Sequence, residues 1–171
     1  MKKRLFGFIK EALRLAVIVA AVSLALDWWR SPSQRIEHVS DMTLKTYDGT
    51  PLSLQKGAPL LLYFWMPHCS VCKHNMSAVK AVFKRYRVVS VASFAHCDEV
   101  RRAAARYALP FPVVCDEKGT VAERFGVKVF PTFFIYDATG KRRYVTSGYT
   151  TQAGLIARLL LASRRDEATP R

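Results

Sequence analysis

Beyond residue 40 the chain alternates between short continuous apolar runs and segments whose apolar positions return every three or four residues. LLLYFW (60–65) and VVSVASF (88–94) are continuous runs, the pattern of strands buried on both faces. FPVV (111–114) and TFFIYD (132–137) are shorter strands of the same kind. From Ser70 to Tyr86 the residues Val71, Ala78, Val79, Val82, Phe83 and Tyr86 recur at helical spacing. Asp98 is placed to cap a helix running through Tyr107, and a short helix is expected about Val121–Phe125. Thr151 to Ala162 reads as a last helix with Leu155, Ile156, Leu159 and Leu160 on one face. Two hairpins complete the pattern. MTLKTY and TPLSL close through Asp48-Gly49, and TFFIYD and KRRYVTS turn at Ala138-Thr139-Gly140. Strands alternating with helices, closed by a hairpin and a helix, predict an α/β layered sheet. Ligand chemistry in such sheets gathers at the carboxyl ends of the parallel strands.

The N-terminal residues break this pattern. MKKRLFGFIKEALRLAVIVAAVSLALDWWR has a basic start, an apolar run from Leu15 to Leu26, and then Asp27-Trp28-Trp29-Arg30. Residues 1–30 read as a signal anchor, a transmembrane helix that stays attached. The stretch from Leu5 to Trp29 is long enough to span if Lys10 and Arg14 snorkel, and paired tryptophans suit the far interface. The alternative is a signal peptide cleaved after Ala25, since the apolar run alone has the length of a signal-peptide core. Positive charge at the N-terminus keeps that end inside and puts the folded part outside, where disulfides persist. Residues 31–40, SPSQRIEHVS, read as a tether, 41–163 as one folded domain, and 164–171 as a charged, disordered tail.

Composition narrows the reading further. A chain of 171 residues that is 50% hydrophobic suits a single domain with its own core. Lys and Arg number 27 against 13 Asp and Glu, a net charge of +14. The basic residues are scattered and form no Arg-rich run or nucleic-acid motif, so no nucleic-acid partner is expected. The charge instead suits anionic headgroups or acidic partners. The 4 cysteines are too few for a disulfide-built scaffold.

Candidate chemistry concentrates in FWMPHCSVCKHNM, residues 64–76. Met66, His68, Cys69, Cys72, His74 and Met76 can all bind a soft metal, and Cys69 and Cys72 also form a C-x-x-C pair. On a helix Met76 falls about 40° around from Cys72, whereas His74 falls about 200° away. Met76 therefore goes to the core with Cys72, and His74 goes to solvent. Neither a second C-x-x-C nor a close His pair supports zinc, so no metal site is expected. The alternative function is a periplasmic Cu(I) metallochaperone that uses Cys69 and Cys72 with His68 or Met66.

The redox reading starts from position. Cys69 lies just beyond a buried strand and at the start of a helix, where unpaired N–H groups and partial positive charge favour the thiolate. His68 adds a cation when protonated. Cys72, one turn on, can attack a mixed disulfide on Cys69 and release the partner. Cys69 is thus the attacking and Cys72 the resolving thiol. Pro131 opens an apolar strand and fits there in either the cis or the trans form. Cys97 and Cys115 each end or follow a strand, at the same sheet edge as Cys69. They can form a disulfide, stand as separate thiols, or relay electrons to the main pair. His38 and His96 read as structural.

Together these residues resemble the thioredoxin superfamily. W-x-x-x-C-x-x-C stands as Trp65 to Cys72, and V-x-x-x-P-T as Val127 to Thr132. The extra helix and strand between residues 98 and 115 are similar to the TlpA-like, membrane-anchored branch. The nearest likeness is the suppressor-of-copper-sensitivity D type, through the D-W-W-R-like anchor end, PLLLYFW, C-x-V-C, FPVV and a closing TSGYTT segment. It covers about residues 1–162. It implies a thioredoxin-like fold, a central mixed β-sheet flanked by helices, with an N-terminal hairpin and a helix–strand insertion. It also implies a cis Pro131 beside the cysteines, Phe130 pairing its backbone with an extended substrate, and Trp65, His68 and Thr132 around the groove. The implied activity is thiol–disulfide exchange with protein substrates through a redox-active Cys69–Cys72 disulfide, with no other cofactor. A membrane-embedded thiol reductant would recharge a periplasmic domain held by a single pass in the inner (cytoplasmic) membrane. Three departures stand out. Tyr63 occupies the place of the buried Asp of thioredoxins proper. Asn75 occupies the place of a Glu found in some TlpA-like reductants. Thr132, not Glu, follows Pro131, which argues against a cytochrome c maturation role. With both usual proton acceptors absent, either Cys72 deprotonates sluggishly or Asp98 or Glu99 approaches it from elsewhere.

Overall fold

The computed structural model describes Arg14, Ile18 and residues 36–39, 42–54 and 57–167. The expected anchor, apart from Arg14 and Ile18, and the start of the tether lie outside the described residues, as does the end of the tail. Arg14 and Ile18 are helical, and among the described residues no helix is long and apolar enough to cross a membrane.

The second of two compact units, Pro32–Arg171, carries the sheet. Its elements are β1 (Thr43–Lys45), β2 (Pro51–Ser53), β3 (Leu60–Trp65), α1 (Ser70–Phe83), β4 (Arg87–Ser93) and α2 (Cys97–Arg106). They continue as β5 (Val113–Asp116), α3 (Thr120–Arg124), β6 (Thr132–Tyr136), β7 (Arg142–Ser147) and α4 (Gln152–Glu167). β1 and β2 form a separate antiparallel hairpin, and the main sheet has the order β5-β4-β3-β6-β7. β5, β4 and β3 run parallel, whereas β6 and β7 are antiparallel to their neighbours. The sheet is therefore mixed, with helices packed on it, as the sequence predicts.

Every residue of β3 is buried, which is why its sequence is apolar throughout. Alternation along the strand feeds two cores. Leu61, Tyr63 and Trp65 meet Cys72, Met76 and Val79 of α1 and Leu155 and Leu159 of α4. Leu60, Leu62 and Phe64 meet Val89, Val91, Phe125, Phe134 and Tyr136 on the other face. Each such side chain contributes roughly 1.5–3 kcal/mol when fully buried.

Several boundaries differ from expectation, each for a local reason. α1 stops at Phe83, and Tyr86 lies beyond it. Val71, counted with the core face, is 43% exposed. Asp98 does not cap α2: His96 holds the N-cap position, and Asp98 sits in the first turn bonded to Arg101 at 3.1 Å. Its charge still meets the positive end of the helix. The FPVV strand begins only at Val113, because Pro112 has no N–H to pair and offers only its carbonyl, which accepts from Ser90 N–H at 2.9 Å. α4 runs to Glu167, past Ala162 and into the expected tail, and Leu160 turns outward.

The expected tether is also partly built into the domain. Val39 is buried and donates to the Gly140 carbonyl at 3.0 Å, Arg142 N–H donates to the Glu37 carbonyl at 2.7 Å, and His38 bridges Lys141. At the opposite rim Thr46 bridges Val114, and Tyr47 N–H donates to the Val113 carbonyl at 2.9 Å. The β6–β7 turn is fixed by the buried Asp137, whose carboxylate accepts from Thr139 N–H at 3.0 Å, Lys141 N–H at 2.9 Å and Arg143 Nε at 2.5 Å. Burial pushes this carboxyl up, but the bonds outweigh it and hold Asp137 below the ordinary carboxylate value.

Candidate active site

β3 ends at Trp65, and the chain breaks through Met66, Pro67 and His68 before α1 begins. Cys69 N–H donates to the Met66 carbonyl at 3.1 Å, which turns the backbone. Cys69 is the N-cap of α1, with φ −77° and ψ 112°. Its sulfur takes the role usually played by a Ser or Asp oxygen, accepting from Cys72 N–H at 3.1 Å. The two cysteines form a disulfide with Cα atoms 5.2 Å apart. Cys69 is half-buried, whereas Cys72 is fully buried. Only the first sulfur can be reached by a partner.

The cis Phe130–Pro131 bond stands against this pair, and the Phe130 carbonyl oxygen lies 3.9 Å from Cys69 Sγ. The Pro131 carbonyl in turn accepts from Gly148 N–H at 2.8 Å. Asn75 of α1 completes the clamp. Its Nδ2 donates to the Val71 carbonyl at 3.1 Å, and its Oδ1 accepts from Thr150 N–H at 3.0 Å. α1, the proline turn and the 148–150 loop are thereby tied into one frame. Tyr63 hydroxyl donates to the Cys72 carbonyl at 2.9 Å and its ring stacks on Phe133. Burial pushes the phenol far above its usual range, so it stays protonated and remains a donor.

The structure separates the candidate substrate residues. His68 is exposed, and its Nε2 lies 2.6 Å from Glu99 Oε1. Phe130 is half-buried at the surface. Trp65 does not flank a groove: it is 1% exposed, because the strand's alternation turns its ring into the core. Thr132 is also fully buried, and its hydroxyl bonds the Val129 carbonyl and Ser147 Oγ, both at 2.7 Å. Of the two carboxylates expected near Cys72, Asp98 is bonded to Arg101, and Glu99 lies against His68 with its Oε1 buried and without a hydrogen-bond partner among the described residues. His74 is exposed, Met76 is in the core, and Met66 is half-buried. Among the described residues no three His, Cys, Asp or Glu side chains gather into a metal set. Cys97 and Cys115 are joined as a disulfide, Cα atoms 5.5 Å apart, and His96 beside them pairs with Glu117.

Sequence reasoning passed over the exposed apolar rim. Phe94, at the end of β4, is 57% exposed and meets Phe130 edge to face at 5.9 Å between centroids. It has φ 58°, and its ring lies over Gly119, itself at φ 73°. Val71, between the cysteines, and Tyr149, at 68% exposure beside the Asn75–Thr150 clamp, extend the apolar surface. The one available signal was an aromatic closing the VVSVASF run just before a polar Ala-His-Cys stretch.

The AhpC/TSA family model matches residues 37–145. A thioredoxin-like protein of Haemophilus influenzae is 33% identical over 159 residues, covering 90% of this chain and 94% of the relative. The thiol–disulfide oxidoreductase ResA of Halalkalibacterium halodurans is 26% identical, covering 82% of this chain and 88% of ResA. A crystal structure of a secreted Mycobacterium tuberculosis disulfide oxidoreductase, homologous to E. coli DsbE, aligns with a TM-score of 0.63 at 24% identity. It covers 70% of this chain and 95% of that one, a likeness of fold.

Proposed function

Because the chain belongs to the AhpC/TSA family, with a thioredoxin-like fold, we propose that it is an extracytoplasmic thiol–disulfide oxidoreductase of the DsbE/ResA type working through Cys69 and Cys72. The observation that carries this reading is the division between a half-exposed Cys69 capping α1 and a fully buried Cys72 bonded to it.

In the reduced protein Cys69, held as thiolate by the helix N-terminus, attacks one sulfur of a substrate disulfide. That S–S bond breaks, one substrate sulfur leaves as thiolate and takes a proton, and a mixed disulfide forms on Cys69. Cys72 then loses its proton and attacks Cys69 Sγ. The second substrate thiolate leaves and the Cys69–Cys72 disulfide closes, two electrons having passed to the substrate. The same steps reversed oxidise a substrate dithiol. The pair itself carries the electrons, and no organic cofactor is needed. A substrate segment lies beside Phe130 and Pro131, with His68, Val71, Phe94 and Tyr149 as the rim. Trp65 and Thr132 support the groove from beneath.

The basic, apolar N-terminus supports a single-pass anchor in the cytoplasmic membrane with the domain in the periplasm, recharged by a membrane-embedded thiol reductant. The D-W-W-R, PLLLYFW, C-x-V-C, FPVV and TSGYTT segments support placement in the TlpA-like branch, nearest the suppressor-of-copper-sensitivity D type. Cys69→Ser should abolish insulin reduction, and full activity in that variant refutes the mechanism. Cys72→Ser should accumulate mixed disulfides that a reductant releases. Stoichiometric Cu(I) binding without any thiol exchange would instead favour the metallochaperone. Fusing residues 1–35 to alkaline phosphatase should yield active enzyme, and an inactive fusion would remove the export claim.

A further inference from the structure

Beside His68 and Lys73, which flank the cysteine pair in sequence, a cleft of about 330 Å³ opens between α1 and α2. It is lined by Pro67 and His68 from the strand–helix break, Lys73 from the first turn of α1, and Glu99, Arg102, Arg106 and neighbouring residues of α2. The residues flanking the C-x-x-C pair on both sides in sequence, His68 and Lys73, thus face into the same space as α2.

The charges in this cleft do not cancel. Glu99 Oε1 lies 2.6 Å from His68 Nε2, buried and without a hydrogen-bond partner among the described residues. Asp98, the other acid at the start of α2, is exposed and bonded to Arg101. Lys73, Arg102 and Arg106 carry no ion pair among the described residues, so three cations outnumber the cleft's single carboxylate, Glu99, which lies against His68. Arg102 and Arg106 stand one turn apart on the same helix face, an arrangement of like charges that works against the helix rather than for it. A concave site lined by one sign of charge concentrates ligands of the other sign.

We propose that this cleft is a carboxylate-binding subsite, which selects protein substrates bearing acidic side chains beside the exchanging cysteine. Lys73 and the guanidinium groups of Arg102 and Arg106 hold the acidic side chain while Cys69 attacks the neighbouring sulfur. Guanidinium forks match carboxylates in a bidentate manner, which gives direction as well as charge. The inference deepens the exchange reading above and rests on it.

The test uses the full reduced protein and synthetic peptides. Each peptide carries one cysteine as a thiopyridyl disulfide, flanked by Glu, Gln or Lys, and release of thiopyridine is timed. Rates with a small neutral thiol correct for each peptide's own reactivity. The Glu-flanked peptide should react roughly three- to tenfold faster than the Gln-flanked one, and the Lys-flanked peptide more slowly than either. The preference should shrink at high salt. The double variant Arg102→Gln/Arg106→Gln should bring the Glu-to-Gln ratio close to one. Lys84→Gln/Arg85→Gln, with the same loss of charge at the far end of α1, should keep it. Equal rates for Glu- and Gln-flanked peptides with the unaltered protein would overturn the proposal. So would an equal loss of preference in both double variants, since the whole molecule's field would then be responsible. Failure to release thiopyridine from any peptide would overturn the exchange reading itself, and the subsite with it.

Discussion

Tyr63 and Asn75 stand where the resemblance leads one to expect acids, yet both are buried and both serve as scaffold. Tyr63 hydroxyl holds the Cys72 carbonyl, and Asn75 holds Thr150. Tyr63→Phe should lower unfolding free energy by about 1 kcal/mol in denaturant titration, with thiol exchange retained. Asn75→Ala leaves the Thr150 N–H without its partner and should cost about 1–3 kcal/mol. Asp137 gives a pH signature. Its folded pKa lies below the unfolded value of about 3.9, so its contribution is full above that value and is lost as pH falls through the folded one. Asp137→Asn should therefore flatten the fall in stability below pH about 4, and an unchanged acid limb would contradict the assigned bonds. Cys69 and Cys72 were legible because spacing alone restricts what two thiols can do. Trp65 and Thr132 were misplaced because β3 and β6 are covered on both faces out to these terminal residues. One sequence does not show how far along a strand that cover extends.

At the scale of elements, most strands and helices followed from periodicity, and their ends did not. Pro112 shortened β5, His96 displaced Asp98 from the cap of α2, and α4 outran its apolar stripe. These depend on backbone partners that hydropathy does not encode. The turn before α3 is the clearest example. Gly119 is left-handed and lies directly beneath the Phe94 ring, so any Cβ there collides with the aromatic edge. Gly119→Ala should cost more than about 1 kcal/mol and should displace Phe94 from Phe130. Thermal denaturation would report the first effect, and slower exchange with protein substrates the second. Unchanged stability would mean that the ring moves aside freely.

Across the whole molecule, the Cys97–Cys115 bond ties α2 to β5 over a sequence separation of 18. Closing a loop of that length stabilises by about 3 kcal/mol in the chain-entropy account. Replacing both cysteines with Ser should remove about that much in equilibrium unfolding, while a loss near zero would leave the bond without a structural role. A mixed sheet was within reach through the resemblance, but the covering of its rims was not, because single bridges such as His38–Lys141 and Thr46–Val114 have no periodicity to betray them. Those bridges bear on how the protein behaves in a crowded compartment. An open strand edge is a template onto which another chain can add, and it is where aggregation starts. Here the segment upstream of β3 touches both outer strands, covering the start of β7 through residues 37–39 and β5 through Thr46 and Tyr47. A chain trimmed to begin at Met42 would keep the cysteine pair yet bare the β7 rim, and should self-associate at concentrations the longer chain tolerates.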